Sequence, residues 1–148
     1  RQHDPLRYEQ RLMAAWITRT QEPFSQWGTS DVWYRINGRA NDTNAVAVGD
    51  QVTIGYQGHR VEDGYLFDDT HRNGASLSFT YGDKDQVING LEVAVTLLRP
   101  GQEGRFVFPS AYAFGAKGIP GVLDPYMPVD YTVRLENVVR GAQEHAVR

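Results

Sequence analysis

Two neighbouring acids, Asp68 and Asp69 in the stretch YLFDDTHRNG, have the type and spacing that most readily suggest chemistry. With His71 close behind them, they could bind a divalent metal ion or act as an acid–base pair. Adjacent residues on a strand point to opposite faces, however, so the two carboxylates are not expected to share one site. We therefore expect one acid to face a pocket, the other to face water with His71, and no metal ion to bind. The remaining histidines show no ligand spacing; they are His3, His59 and His145.

Three further motifs lack a part that their chemistry needs. DKDQVINGLE begins like a calcium loop, but Val87 and Ile88 stand where an oxygen ligand and a glycine are required. GAKGIPG contains Pro120 and precedes no helical pattern, so it does not predict a phosphate loop. Ser110 lacks the G-x-S-x-G setting of a nucleophile. We therefore expect no nucleophilic catalysis and no cofactor.

The composition narrows the class of protein. A chain of 148 residues with 41% hydrophobic content can build one core. Its 15 basic and 18 acidic residues give a net charge of −3 without a basic, aromatic-rich cluster, so nucleic acid is not an expected partner. No apolar run approaches the ~20 residues that cross a bilayer. The absence of cysteine excludes disulfides and thiolate metal sites.

A helix is predicted over residues 5–20. Asp4 is a suitable N-cap, and Pro5 suits the first helical position. Apolar side chains then recur at helical spacing along one face, namely Tyr8, Leu12, Met13, Trp16 and Ile17. We expect this face to dock on the chain's own domain, with a helix bundle, a partner or a membrane surface as alternatives.

The rest of the chain contains several predicted strands and one further predicted helix. Apolar residues alternate in VWYRI, VTIGY, RFVF and YTVRL, which is typical of half-buried strands. One apolar helix face is formed by Ile88, Leu91, Val95 and Leu98. This order predicts an α+β domain whose antiparallel sheet folds over one short helix. We expect an N-terminal helix and linker in residues 1–30, the domain in residues 31–141 and a tail in residues 142–148.

The chain has more aromatic side chains than one helix needs for packing. Those on strands or at loop entries are Tyr56, Phe67, Phe79, Phe114 and Tyr131. They could line a concave apolar pocket or fill a closed core, and composition leaves both alternatives open. Residues 110–128 combine Gly and Pro with apolar residues, which predicts a structured loop.

Five motifs stand in order between Ala47 and Val139: VTIGYQG, DGYLFDDT, QVINGLE, LLRPGQEGRFVFPSAYAFGAKGIPG and PVDYTVRLENV. In sequence and spacing they closely resemble the FKBP-type peptidyl-prolyl cis-trans isomerases. The resemblance implies a five- to six-stranded antiparallel sheet wrapped around one short helix, with an apolar aromatic pocket that takes a prolyl ring. It also implies isomerisation of Xaa-Pro bonds without a cofactor.

The region before these motifs resembles a narrower group. The helix and the following SDVWYRINGRA are similar to FKBP-type isomerases of the Bacteroidetes envelope, including gliding-motility-associated lipoproteins. This similarity implies a location in the periplasm or cell envelope, with the cytoplasm as the alternative. It implies membrane attachment only through a lipid anchor upstream of Arg1.

The family's site residues carry over motif by motif. The resemblance assigns catalytic roles to Tyr56, Phe67, Asp68, Ile88, Phe114 and Tyr131. It assigns substrate-binding roles to Leu77, Val87, Leu91, Ile119, Val122 and Leu123. It further implies that the Ile88 N–H donates to a substrate carbonyl and that Asp68 is hydrogen-bonded to Tyr56. Proline-containing polypeptides and rapamycin-like macrolides are the implied partners, and a monomer or a helix-mediated dimer is expected.

Four residues depart from the pattern of the best-known members. Leu91 stands in place of a tryptophan floor, and Leu77 in place of a common aromatic. Phe114 replaces a tyrosine that donates a hydrogen bond to ligands, whereas Tyr131 replaces a phenylalanine. A binding or chaperone module with weak turnover is therefore the alternative function.

Overall fold

The computed structural model describes residues 4–40 and 43–141, which contain two α-helices and seven strands. In chain order these are α1 (Pro5–Thr20), β1 (Ser25–Gln26), β2 (Trp33–Asn37), β3 (Gln51–Arg60), β4 (Leu66–Asp69), β5 (Leu77–Thr80), α2 (Asn89–Leu97), β6 (Glu103–Phe108) and β7 (Val129–Val139). A 3₁₀ turn, Ser110–Tyr112, follows β6. The predicted tail in residues 142–148, together with His3 and His145, lies outside the described residues.

The strands form one antiparallel sheet in the order β1-β2-β6-β7-β3-β4. Strand β4 pairs with residues 57–59 of β3 and β5 pairs with residues 51–54, so β4 and β5 lie end to end along one edge. The predicted α+β class, with an antiparallel sheet and one core helix, is confirmed. The two-residue strand β1 lies before residue 31, where the domain is expected to begin. The domain boundary between residues 30 and 31 stays a prediction.

Helix α2 packs against the inner face of the sheet. Leu91 and Val95 are buried in one cluster with Phe106 and Phe108 of β6. A Cβ on Gly90 would lie 2.7 Å from the ring of Phe108. Glycine therefore allows helix and strand to approach more closely than any other residue would.

Helix α1 begins and ends at the predicted residues. The Asp4 carboxylate accepts hydrogen bonds from the N–H groups of Leu6 and Arg7, both at 3.2 Å. The C-cap that follows Thr20 is Gln21, whose φ of 59° lies in the left-handed region. Neither helix within the described ranges is long and apolar enough to cross a membrane.

The outer face of the sheet carries α1. Met13 and Trp16 form a second apolar cluster with Val61 and Val107. Because successive strand residues point to opposite faces, Val107 faces α1 while its neighbours in β6 face α2. The helix thus docks on its own domain, as its apolar face predicts.

Candidate functional site

Strand β4 carries an extra residue where it pairs with β3. Gly58 pairs with Asp68 and His59 with Leu66, which leaves Phe67 between them without a partner. Such a bulge redirects side chains that would otherwise alternate between the two faces. Phe67 and Asp68 consequently both contact the same tyrosine of β7, although they are adjacent in sequence.

The Asp68 carboxylate accepts a hydrogen bond from the Tyr131 hydroxyl at 2.8 Å. This corrects the partner implied by resemblance, since the donor is Tyr131 and not Tyr56. The tyrosine that replaces the usual phenylalanine brings the new hydroxyl within reach. Burial raises the pKa of Asp68 above its ordinary value; the bond from Tyr131 opposes this rise and the charge of Asp69 adds to it.

Asp69 points away from Asp68, as strand alternation predicts, but it does not face water. Its side chain is only 6% exposed. Its carboxylate accepts a hydrogen bond from the His71 N–H at 2.9 Å, which closes a local turn. The expectation of a solvated side chain is therefore wrong for Asp69 and correct for His71. Across residues 4–40 and 43–141, no three His, Asp or Glu side chains are grouped so that they could hold a metal ion.

Four aromatic rings meet beside Asp68. Phe67 contacts Tyr131 edge-on, with 6.0 Å between ring centroids, and Phe114 edge-on at 5.7 Å. Tyr56 lies 5.6 Å from Tyr131. Phe67 and Phe114 are half-buried, whereas Tyr56 and Tyr131 are buried. Accessible apolar rings therefore lie over a buried aromatic base, an arrangement suited to a small apolar ligand.

Gly58 makes room for the ring of Tyr131. The two residues pair across β3 and β7, and a Cβ on Gly58 would lie 2.6 Å from the Cζ atom of that ring. No other side chain fits between them without displacing the ring. Sequence analysis placed Tyr56 of the GYQG motif in the site but missed Gly58, because the glycine's role depends on which residue lies across the sheet.

Thr70 is a second residue that sequence analysis missed. Its hydroxyl accepts a hydrogen bond from the Tyr56 N–H at 2.9 Å, and its N–H donates to the Tyr56 carbonyl at 3.0 Å. The main chain of Tyr56 is thus held on both sides by one residue at the end of β4. Only the observed pairing of β3 with β4 reveals this contact.

The two tyrosine hydroxyls have different surroundings. Burial, with Asp68 adding, strongly raises the pKa of Tyr131, so that hydroxyl keeps its proton and donates it to a hydrogen bond. Burial raises the pKa of Tyr56 to about 12, and the charge of Asp68 adds to this rise. The Tyr56 hydroxyl makes no hydrogen bond within the described chain, where every buried side-chain polar atom has a partner. It is therefore open to solvent and free to donate.

The start of α2 supplies apolar side chains and a main-chain donor. Val87 and Ile88 are half-buried against the main core, and Leu91 is buried beneath the surface at 3% exposure. The Ile88 carbonyl accepts a hydrogen bond from the Leu91 N–H at 3.0 Å. The Ile88 N–H has no acceptor among the described residues, as is usual at a helix start. It is available to an acceptor outside the described chain.

The loop between β6 and β7 carries Phe114. The Ser110 carbonyl accepts hydrogen bonds from the Ala113 N–H at 2.9 Å and the Gly115 N–H at 2.8 Å. These two donors flank Phe114 in sequence. The turn that begins at Ser110 therefore sets the position of the Phe114 ring.

The remaining predicted site residues lie on β5 and on the loop between β6 and β7. Ile119 and Leu123 close a small turn through two main-chain hydrogen bonds of 2.8 Å, and Arg60 donates to the Val122 carbonyl at 2.6 Å. Leu77 of β5 packs half-buried against the main core. Apart from Val122, the predicted apolar site residues lie in or against one core cluster.

Residues 42–136, which contain α2, strands β3 to β6 and all but the last three residues of β7, match the FKBP-type peptidyl-prolyl cis-trans isomerase family. The chain is 32% identical over 94 residues to peptidyl-prolyl cis-trans isomerase FPR2 of Saccharomyces cerevisiae, which covers 64% of this chain and 69% of that protein. It is 34% identical over 90 residues to peptidyl-prolyl cis-trans isomerase Fkbp12 of Drosophila melanogaster, covering 61% and 82%. Its fold is similar to that of a peptidyl-prolyl cis-trans isomerase from Pseudomonas syringae, with a TM-score of 0.74 and 23% identity over 92% of this chain and 94% of that chain. The chain therefore belongs to the FKBP-type peptidyl-prolyl cis-trans isomerase family, whose members are enzymes that isomerise Xaa-Pro bonds.

Proposed function

We propose that the aromatic cluster binds the prolyl ring of a polypeptide and isomerises the peptide bond that precedes it. The observation that carries this assignment is the half-buried pair Phe67 and Phe114, packed edge to face beside the Asp68 carboxylate. Beneath this pair lie the buried rings of Tyr56 and Tyr131. A prolyl ring is apolar, so it gains from contact with such a surface.

Isomerisation twists an amide and breaks no covalent bond. The barrier is about 18–20 kcal/mol because the twisted amide loses its conjugation. The planar amide is more dipolar than the twisted form, so an apolar site that excludes water favours the twisted form. Side chains that grip the prolyl ring hold the amide in this environment, and the reaction needs neither a nucleophile nor a metal ion.

Two hydrogen-bond donors are available to substrate carbonyls. One is the Ile88 N–H at the start of α2. The other is the Tyr56 hydroxyl, which makes no hydrogen bond within the described chain, whereas the Tyr131 hydroxyl donates to Asp68. Phe114 has no hydroxyl to donate a hydrogen bond to a ligand. We assign this role to the Tyr56 hydroxyl. The field of the Asp68 carboxylate then acts on the rotating carbonyl.

Tyr56→Phe is expected to lower kcat/KM for a proline tetrapeptide by about tenfold, because a hydrogen bond to the twisted amide is lost. In a Tyr131→Phe background, Asp68 is free to accept the Tyr56 hydroxyl. Tyr56→Phe is then expected to change kcat/KM by less than about threefold. A coupled-protease assay on both single variants and the double variant measures this coupling. The same loss in both backgrounds would contradict the assignment.

Acidification is expected to lower the activity while removing a stability cost that Asp68 imposes. Burial raises the folded-state pKa of Asp68, so the folded protein binds this proton more tightly than the unfolded chain does. As pH falls through the raised pKa towards the ordinary value, the free energy of unfolding should rise relative to Asp68→Asn. Over the same window kcat/KM should fall, because the carboxylate loses its charge. Urea unfolding and tetrapeptide assays on both proteins measure the two trends; a pH-independent stability difference would refute the first.

The isomerase activity is tested directly with proline tetrapeptides in a coupled-protease assay. We expect catalysis well above the uncatalysed rate. A binding or chaperone module with weak turnover is the second candidate, and the aliphatic floor at Leu91 and the missing hydroxyl at Phe114 favour it. Suppression of aggregation of a denatured client without any isomerisation would select this second function.

The ligands we propose are proline-containing polypeptides and rapamycin-like macrolides. Both would present a ring and adjacent carbonyls to the same half-buried surface and its two donors. Inhibition of tetrapeptide isomerisation by rapamycin tests the macrolide. Full activity at saturating rapamycin would exclude it as a ligand of this site.

We propose a location in the periplasm or cell envelope, with attachment through an upstream lipid anchor. The support is the resemblance of α1 and SDVWYRINGRA to envelope isomerases of Bacteroidetes. Fractionation of cells that produce the full-length protein, with labelled palmitate as the probe of acylation, tests both points. Recovery in the cytoplasmic fraction would favour the alternative location.

A monomer is the oligomeric state we propose. The support is the burial of Met13 and Trp16 of α1 against the chain's own sheet, which leaves these side chains unavailable to a second copy. Sedimentation with and without residues 1–22 measures the state. A dimer that dissociates on removal of these residues would favour the helix-mediated alternative.

A further inference from the structure

One carboxylate lies on the buried face of α1. Glu9 is 4% exposed, on the same side of the helix as Met13 and Trp16. Its two oxygens accept hydrogen bonds from the main-chain N–H and the hydroxyl of Ser110, the latter at 2.9 Å. Ser110 is itself 3% exposed. This contact joins the first half of α1 to the loop that leaves β6.

A buried carboxylate is an unfavourable way to dock a helix. Burial raises the pKa of Glu9, the two bonds from Ser110 oppose this rise, and the charge of Asp31 adds to it. An apolar side chain of similar size would pack on the sheet without this desolvation cost. Docking alone therefore does not account for a glutamate at this position.

Ser110 holds the main chain on both sides of Phe114. Its carbonyl accepts the N–H groups of Ala113 and Gly115, while its own N–H and hydroxyl are held by Glu9. The hydrogen bonds thus run from α1 through one residue to both neighbours of Phe114. The Tyr112 ring in the same turn packs edge-on against Trp27 at 6.1 Å between centroids.

We propose that Glu9 is a positioning residue of the prolyl site: through Ser110, helix α1 fixes the turn that orients the Phe114 ring. This inference rests on the proposed role of Phe114 in gripping the prolyl ring. It gives α1 a part in substrate binding, although the helix lies on the opposite face of the sheet from α2. Loss of the contact between Glu9 and Ser110 should leave the chemical step unchanged and weaken the binding of the prolyl ring by Phe114.

The first test replaces Glu9 with leucine, which keeps an apolar contact and removes both acceptors. Glu9→Leu is expected to lower kcat/KM by about fivefold to tenfold, mainly by raising KM, because a displaced ring removes binding contacts. Glu9→Gln should stay within about twofold of the wild type, because its amide can accept from the Ser110 N–H and donate to the hydroxyl. Tyr8→Phe is the matched control, since it removes a different bond from α1, to Glu62 at 3.2 Å. It should leave kcat/KM unchanged.

A double-mutant cycle with Phe114→Ala separates positioning from a general loss of stability. If Glu9 acts through Phe114, Glu9→Leu has no further effect once the ring is gone. All variants are assayed at a temperature at which circular dichroism shows them folded. Should Glu9→Leu not fold, the same cycle is run with Ser110→Ala, for which a rise in KM of about twofold is expected only when Phe114 is present.

Two outcomes would overturn the inference. One is a folded Glu9→Leu variant with wild-type KM, and the other is an equal effect of Glu9→Leu with and without Phe114. The proposed function fails separately: an inactive wild type, or a Phe114→Ala variant as active as the wild type, contradicts the site itself. With an active wild type and an impaired Phe114→Ala variant, the Glu9 result alone decides whether α1 positions the ring.

Discussion

Replacing Gly58 with alanine is expected to lower the free energy of unfolding by about 3 kcal/mol and kcat/KM by at least about tenfold. The added Cβ would lie 2.6 Å from the Tyr131 ring, which is fully buried and packs against Tyr56 and Phe67. The ring cannot move without disturbing these neighbours and the bond from its hydroxyl to Asp68. Urea unfolding and the tetrapeptide assay measure the two effects.

Gly55→Ala on the same strand is the matched control. Its Cβ would meet only the outer ends of the Arg134 and Glu136 side chains, which are exposed and can move aside. Stability and kcat/KM should therefore stay close to wild-type values. A Gly58→Ala variant that behaves like Gly55→Ala would show that the close contact with Tyr131 has no role in the site.

Phe67→Ala and Asp68→Ala are expected to lower kcat/KM by about a hundredfold and about tenfold, respectively. The first substitution removes the ring that contacts both Phe114 and Tyr131, and the second removes the charge beside the rotating carbonyl. Asp69→Ala should keep kcat/KM within about twofold but lower the free energy of unfolding by about 1 kcal/mol, since the His71 N–H loses its acceptor.

Asp69 serves as the control for Asp68, because both are acids in the same strand and only one faces the aromatic cluster. The tetrapeptide assay compares their activities, and urea unfolding compares their stabilities. Equal losses of kcat/KM at the two aspartates would remove the basis for a special role of Asp68. A loss of activity for Asp69→Ala alone would show that Asp69, and not Asp68, supplies the carboxylate of the site.

Much of the fold follows from local patterns in the sequence. The Asp4-Pro5 start and the apolar face of α1 predict its bounds, and strand alternation predicts the antiparallel sheet. Alternation also separates the two aspartates correctly, because they do leave β4 in different directions. These features depend on residues close together in the chain, where periodicity and capping decide the structure.

The contacts that define the site depend on residues far apart in sequence. The bulge at Phe67 arises from the register of β4 on β3, and so places Phe67 and Asp68 on one side against the usual alternation. The Tyr131 hydroxyl reaches Asp68 only because β3 pairs with β7 on one side and with β4 on the other. The burial of Asp69 follows from the turn that it closes with His71. None of these contacts leaves a periodic signal in the chain.

The placement of the tryptophans has a consequence for spectroscopy. The chain has three, and the assigned site contains none of them, since leucine occupies position 91. Trp16 lies on α1, Trp33 packs beside the same cluster, and Trp27 contacts the turn before Phe114. Intrinsic fluorescence should therefore report the docking of α1 through Trp16 and Trp33 and the turn before Phe114 through Trp27, without direct contact between a tryptophan and a ligand. A change in emission when a proline peptide binds would therefore show that binding alters the packing around tryptophans outside the pocket, either at the turn before Phe114 or at α1.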